Sequence, residues 1–150
     1  MGWTELSVSK IQFLVYGTPT PQGSMKAFAF QQGDQLRARI THASKKVLPY
    51  RHAIAQVAAI RKQETGFELI PRNVGVILRV SFHLARPKSL PKKQEAHTKR
   101  PDLDKMVRSC LDALTGILWT DDSQVVCLVA TKRYGSPERT EITLETEELL

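Results

Sequence analysis

Apolar positions recur along this chain with two different periods, and the switches between them mark out its elements. Residues 8–16 (VSKIQFLVY) are rich in β-branched and aromatic side chains and stop at the breaker cluster GTPTPQG of 17–23, which predicts a first strand and its loop. Residues 26–30 (KAFAF) and 36–41 (LRARIT) alternate about QQGD, the pattern of a hairpin. Across 48–62 the period lengthens: Ile54, Val57, Ala58 and Ile60 follow a helical rhythm after Pro49, and Gly66 lies beyond the end. Residues 74–84 (VGVILRVSFHL) form the longest β-branched run, predicting a strand central to a sheet.

A second helix is predicted over 102–114, where Leu103, Met106, Val107, Cys110, Leu111 and Leu114 share one face and Gly116 follows as a terminator. Trp119 to Asp122 reads as a turn, 125–134 as a strand, and 140–145 (TEITLE) as a last, edge-like strand. The fold class expected is α+β: one small domain over 1–150, with a mixed sheet of about five or six strands packed on two main helices. The acidic end, 146–150, is expected to fray.

Length and composition narrow the function classes. A chain of 150 residues suits one domain, and no stretch approaches the roughly 20 apolar residues of a membrane span. The N-terminal ten residues lack the charged and apolar regions of an export signal, so a cytoplasmic setting is expected, with no membrane partner. Cys110 and Cys127 each lie in an apolar run and are read as small hydrophobes. Together with His42, His52, His83 and His97 they show none of the paired spacings of a structural zinc site. Charge changes the picture more. Residues 1–100 carry 17 Lys and Arg against 5 acids, and residues 101–150 carry 5 against 10. A basic body favours a polyanionic partner, since each phosphate neutralised releases counterions. Residues 85–101 (ARPKSLPKKQEAHTKRP) hold three prolines and six Lys or Arg, predicting an exposed, mobile basic loop.

That loop leads into an unusual concentration of acid. Asp102, Asp104, Asp112, Asp121 and Asp122 fall within 21 residues, while the first 101 contain Asp34 alone. Magnesium takes oxygen ligands in an octahedron, and aspartates supply them. Inside a regular helix Asp102 and Asp104 would point about 200° apart. Two converging ligands therefore need Asp102 at the helix start, where Pro101 favours it. Each acid also has a purely structural explanation. Asp102 can be an N-cap, Asp104 a charge favourable to the helix dipole, Asp121 and Asp122 a turn, and Asp104, Arg108 and Asp112 a ladder of ion pairs. Spacing alone leaves both explanations open.

The 27 residues from Arg100 to Val126, RPDLDKMVRSCLDALTGILWTDDSQVV, resemble the signature of RusA-type crossover junction endodeoxyribonucleases. The acid pair on a helix start, the LDALT helix end and the aromatic-x-D-D-x-Q-V passage carry the likeness. The 17–23 loop is similar to that of phage and Gram-positive members. The resemblance implies a small mixed α/β homodimer that resolves Holliday junctions in recombination and repair by magnesium-dependent nicking, with Mn2+ as a possible substitute ion. It assigns metal binding to Asp102, Asp104, Asp121 and Asp122, and catalysis to Asp102, Asp104 and Asp122 with Arg108. DNA contacts are expected from Lys92, Lys93, Lys99, Arg100, Lys105 and Arg108. Two departures matter: Lys105 stands where the family often has Asn, and Arg108 where a catalytic Lys often stands. Arginine keeps the charge but holds its proton at working pH, so an acid–base role does not carry over. The competing readings are a non-catalytic DNA-binding accessory module and a metal-dependent nuclease for other branched or single-stranded DNA.

Overall fold

The computed structural model describes residues 10–22, 25–32, 35–42 and 47–147. Strand β1, Lys10–Tyr16, alternates as its sequence demands, with Ile11, Phe13 and Val15 buried and the intervening side chains exposed. β2, Met25–Gln32, and β3, Gln35–His42, pair antiparallel as a separate two-stranded sheet. Helix α1, Val47–Thr65, is followed by β4, Val76–Leu84, helix α2, Leu103–Leu114, a 3-10 turn, Asp122–Gln124, and strands β5, Val125–Tyr134, and β6, Arg139–Thr146.

The main sheet has four strands in the order β1-β6-β4-β5, so the expected five or six strands are divided between this sheet and the hairpin. β6 runs antiparallel to both β1 and β4, whereas β4 and β5 are parallel. The expectation of an edge position for β6 is thus corrected: it lies inside the sheet. Alternation records which side chains face the core and is silent about how many neighbours a strand has. Ile142 and Leu144 turn inward while Glu141, Thr143 and Glu145 turn to the open face.

Both helices pack on one face of the sheet. Tyr50, Ile54 and Ala58 of α1 meet Met106, Cys110 and Leu114 of α2 over Leu78, Val80 and Phe82. Buried between them, the Tyr50 hydroxyl is hydrogen-bonded to Thr140 Oγ1 and lies 3.9 Å from Cys110 Sγ. Burial pushes the Tyr50 phenol far up and the Cys110 thiol to about 12, so that thiol is inert. Cys127, expected to behave as another small hydrophobe, is exposed on β5. The opposite sheet face is polar, with pairs Arg79–Glu145, Arg139–Glu141 (3.0 Å) and His83–Glu141 (3.6 Å).

The β4–α2–β5 unit positions everything that follows. Parallel neighbours need a crossover, and here it consists of the basic loop and α2. α2 consequently runs antiparallel to β5, with its start beside the end of that strand. Residues 146–150 were expected to fray, and 148–150 lie outside the described residues. No described helix is long and apolar enough to cross a membrane.

Candidate active site

At the N-terminal end of α2, Asp102 occupies the N-cap position with the extended backbone usual there (φ −72°, ψ 134°). Its carboxylate makes no capping hydrogen bond. Instead Oδ2 lies 3.4 Å from Lys105 Nζ, one turn further on, with both groups about half exposed. Such a pair contributes little to stability. The capping explanation of Asp102 therefore does not hold, and its oxygens remain open to solvent. Asp104 is exposed in the first turn.

Residues well apart in sequence hold this end in place. The Lys132 ammonium, on the inner face of β5, donates to the carbonyls of Lys99 (2.5 Å) and Pro101 (2.9 Å). From the other side the 17–22 loop docks on α2: the Ser109 hydroxyl donates to the Thr20 carbonyl (2.8 Å) and the Gln22 amide to the Lys105 carbonyl (3.0 Å). Loop 85–101 is exposed as predicted, but it is tied rather than loose. The Arg86 guanidinium donates to the carbonyls of Pro91 and Gln94 (2.7 Å each) and lies 5.4 Å over the Tyr134 ring. His97 stacks on that same ring, with centroids 4.4 Å apart. Burial, and then the Lys132 charge, hold the His97 imidazole below its ordinary pKa. Lys99 and Arg100 line an adjacent cavity of about 210 Å³ together with His97 and Tyr134. Lys92 and Lys93 are exposed further out on the loop.

The second acid group is held at the far end of the helix. Thr115 is the C-cap of α2, and its hydroxyl meets both the Leu111 carbonyl (2.7 Å) and the Asp122 carboxylate. The buried Trp119 indole also donates to Asp122 Oδ1 (3.3 Å). Asp121 caps the 3-10 turn, accepting from the Ser123 amide at 2.9 Å. The Ser123 amide and hydroxyl hold its carboxyl below the usual carboxylate range. Beneath both acids sits Gln124, a residue whose part is not evident from sequence. Its Oε1 accepts from the amides of Thr120 and Asp121 (2.8 Å each), and its Nε2 donates to the carbonyls of Pro71 (2.7 Å) and Val74 (3.0 Å). A buried amide with every polar group satisfied fixes the turn to the 70–74 segment. Its signal in the sequence was the Gln of the D-D-x-Q string.

Arg108 is exposed midway along α2 and forms no ion pair with Asp104 or Asp112, so the proposed ladder is absent among the described residues. The acids do not meet within one chain either. Thirteen residue steps separate the caps of α2, about 20 Å at 1.5 Å per residue, whereas oxygens sharing one magnesium lie about 3–4 Å apart. Among the described residues no three His, Cys, Asp or Glu side chains could hold a metal ion together. The expectation that Asp102, Asp104, Asp121 and Asp122 converge in a single chain is corrected accordingly: the sequence separates the two groups by a rigid rod.

Comparison with known proteins places this geometry in context. The family model for endodeoxyribonuclease RusA matches residues 17–145. Among curated proteins, the uncharacterized protein YqaN of Bacillus subtilis (strain 168) is 32% identical over 144 residues, which cover 89% of this chain and 94% of YqaN.

Proposed function

Given that the chain belongs to the endodeoxyribonuclease RusA family, we propose that it resolves four-way DNA junctions as a homodimer, with each active site shared between two chains. In this reading Asp102 and Asp104 of one chain and Asp122 of the other hold the magnesium ion, with Asp121 nearby. The observation that carries it is the separation of two acid groups to opposite ends of α2, each with carboxylate oxygens toward solvent. A two-fold axis perpendicular to α2 would reverse its direction in the second copy and so bring opposite ends together. It also supplies two equivalent sites, which paired nicks require.

When bound, the ion would neutralise charge gathering on the scissile phosphoryl group. The chain's own residues deliver and orient the strand. Lys99 and Arg100, with Lys92 and Lys93 outside them, attract the phosphates that the acids repel. Arg108, free of Asp104 and Asp112, grips a phosphate oxygen as a fixed cation. Lys105 offsets the Asp102 charge, and the same carboxylate would be the one to hold the ion. In this reading the protein works in the cytoplasm, beside its DNA substrate.

A second reading has an observation of its own. Magnesium is often bound by only one or two carboxylates with waters, so Asp102 and Asp104 can serve alone, leaving Asp122 to hold Thr115 and Trp119. Mixing subunits separates the two. Asp102→Asn and Asp122→Asn homodimers should each be inert on a synthetic four-way junction with magnesium. Mixed heterodimers should regain one intact site and nick a single strand, because one composite site receives both substitutions and the other neither. Mixed dimers that stay inert, or an Asp122→Asn homodimer that cuts normally, would refute the shared site.

A further inference from the structure

The connection from α1 to β4 is held more firmly than a plain connection needs. Residues 71–74 form a tight turn, closed by the Val74 amide donating to the Pro71 carbonyl at 3.0 Å. Both flanks of the turn are tied down. The Ile70 amide donates to the Leu118 carbonyl (2.9 Å), the Thr120 hydroxyl donates to the Ile70 carbonyl (3.1 Å), and beyond β6 the Glu147 amide donates to the Gly75 carbonyl (2.8 Å). Gln124 completes the bracing, since the carboxamide that accepts from the Asp121 amide also donates to the Pro71 and Val74 carbonyls. The turn is thereby fixed beside the acid turn, and the residues at its two corners, Arg72 and Asn73, are exposed.

Water would satisfy the backbone of an ordinary surface loop, so bracing of this extent is best accounted for by what the tip carries. Arg72 forms no ion pair among the described residues. Its charge nevertheless reaches the Asp121 carboxyl, adding to the larger pull of the Ser123 amide and hydroxyl. A guanidinium kept near a carboxylate but not on it retains its donors for another anion.

We propose that Arg72, with Asn73 beside it, is a binding site for a backbone phosphate of the DNA strand, next to the acid turn of Asp121 and Asp122. A guanidinium matches two phosphate oxygens at once, and a carboxamide N–H can serve another. The charge distribution calls for such a site as well. Lys99 and Arg100 lie at the start of α2, with Lys92 and Lys93 before them, so the acid turn at the other end of the helix has no cation from the basic loop of its own chain. Arg72 draws the strand to that end and holds it there. This inference rests on the DNA substrate and on the role of Asp122 proposed above.

The full-length protein, assayed with magnesium on a synthetic four-way junction, tests it. Arg72→Gln should raise KM about tenfold, as loss of a charge-assisted contact does, with kcat changed less than about twofold. The logarithmic salt slope of junction binding should flatten by about 0.9, the share of one phosphate. Arg72→Lys should recover most of that slope but less of the affinity, because an ammonium supplies the charge without the fork. Asn73→Ala should give a smaller loss of the same kind. Junctions carrying single methylphosphonates, which are uncharged, locate the contact. At one phosphate near the cut the replacement should weaken wild-type binding and leave Arg72→Gln indifferent, a coupling that a purely structural role would not produce. No phosphate coupled to Arg72 would overturn the inference. So would an Arg72→Gln effect that vanishes in an Asp121→Asn background, since Arg72 would then only offset Asp121. The denaturant midpoint of Arg72→Gln should match that of wild type; if it falls instead, the methylphosphonate comparison decides by itself. If Asp102→Asn and Asp122→Asn chains are inert while Arg72→Gln binds as wild type does, the shared site survives and this contact is wrong. If Arg72 couples to one phosphate while Asp122→Asn cuts normally, the contact survives and the shared site is wrong.

Discussion

At the start of α2 the carboxylates of Asp102 and Asp104 stand in water, engaged by Lys105 at most, although Asp102 holds the position where an aspartate usually caps. At the end of α2 the carboxylate of Asp122 meets a hydroxyl and an indole, Asp121 caps a turn, and Gln124 ties that turn to a distant segment. The same residue type is thus kept idle at one end and given structural work at the other. An aspartate without a folding task is available for an ion. An aspartate with one is a fixed wall against which an ion can be placed.

The sharpest test of this contrast is activity set against stability at each end. Asp102→Asn and Asp104→Asn should lower junction cleavage by at least about a thousandfold while binding persists, in line with loss of metal-dependent stabilisation. Their denaturant midpoints should scarcely move, by about 0.5 kcal/mol or less, as befits exposed residues. Asp122→Asn should lose cleavage similarly but also cost about 1 kcal/mol, since Thr115 and Trp119 lose a charged acceptor. Equal stability losses at both ends would break the comparison.

Removing Gln124 attacks the structural end alone. Gln124→Leu leaves the Thr120 and Asp121 amides and the Val74 carbonyl without partners, the Pro71 carbonyl keeping the Val74 amide, and should cost about 2–4 kcal/mol in chemical denaturation. Binding of junction DNA at low temperature should survive it. Neutralising Lys92, Lys93, Lys99 and Arg100 attacks the other end: binding should weaken, and its logarithmic salt slope should flatten by about 0.9 for each phosphate that the protein no longer neutralises. An unchanged slope would make those residues bystanders.

The smallest effect is one of pH. The Asp121 carboxyl titrates below its ordinary value, so it contributes stability above the unfolded-state value, near pH 4, and that contribution is lost as pH falls through the folded value. Asp121→Asn should make the acid limb of the stability profile shallower, with no change at pH 7 in the steepness of the curve. A steeper acid limb in the variant would contradict the hydrogen bonding from Ser123.

Much of this was legible in the chain. The run at 125–134 predicts β5 with its observed bounds, and the apolar stripe of α2 buries Met106, Val107, Cys110 and Leu114 as its period requires. The resemblance of 100–126 identified the family that the wider match to 17–145 bears out. What escaped were relations between elements. Asp102 and Asp122 are only twenty residues apart in sequence, which suggests proximity, yet twelve of the intervening residues form α2. Periodicity could not place β6 between β1 and β4 either, because pairing partners are chosen by topology. Nor could the composition of 85–101, which reads as solvated coil, reveal a tether from Lys132, 31 residues beyond Pro101.

That tether divides the crossover mechanically. From Ala85 to Thr98 the chain hangs on its own hydrogen bonds and on the Tyr134 ring that Arg86 and His97 flank, contacts an incoming polyanion can reshape. At Lys99 and Pro101 the backbone is pinned to β5, so strain introduced upstream stops before it reaches the first turn of α2. On the proposed function, the part that catches the substrate and the part that aims the carboxylates are thus adjacent in sequence, with the Lys132 ammonium fastening the backbone between them.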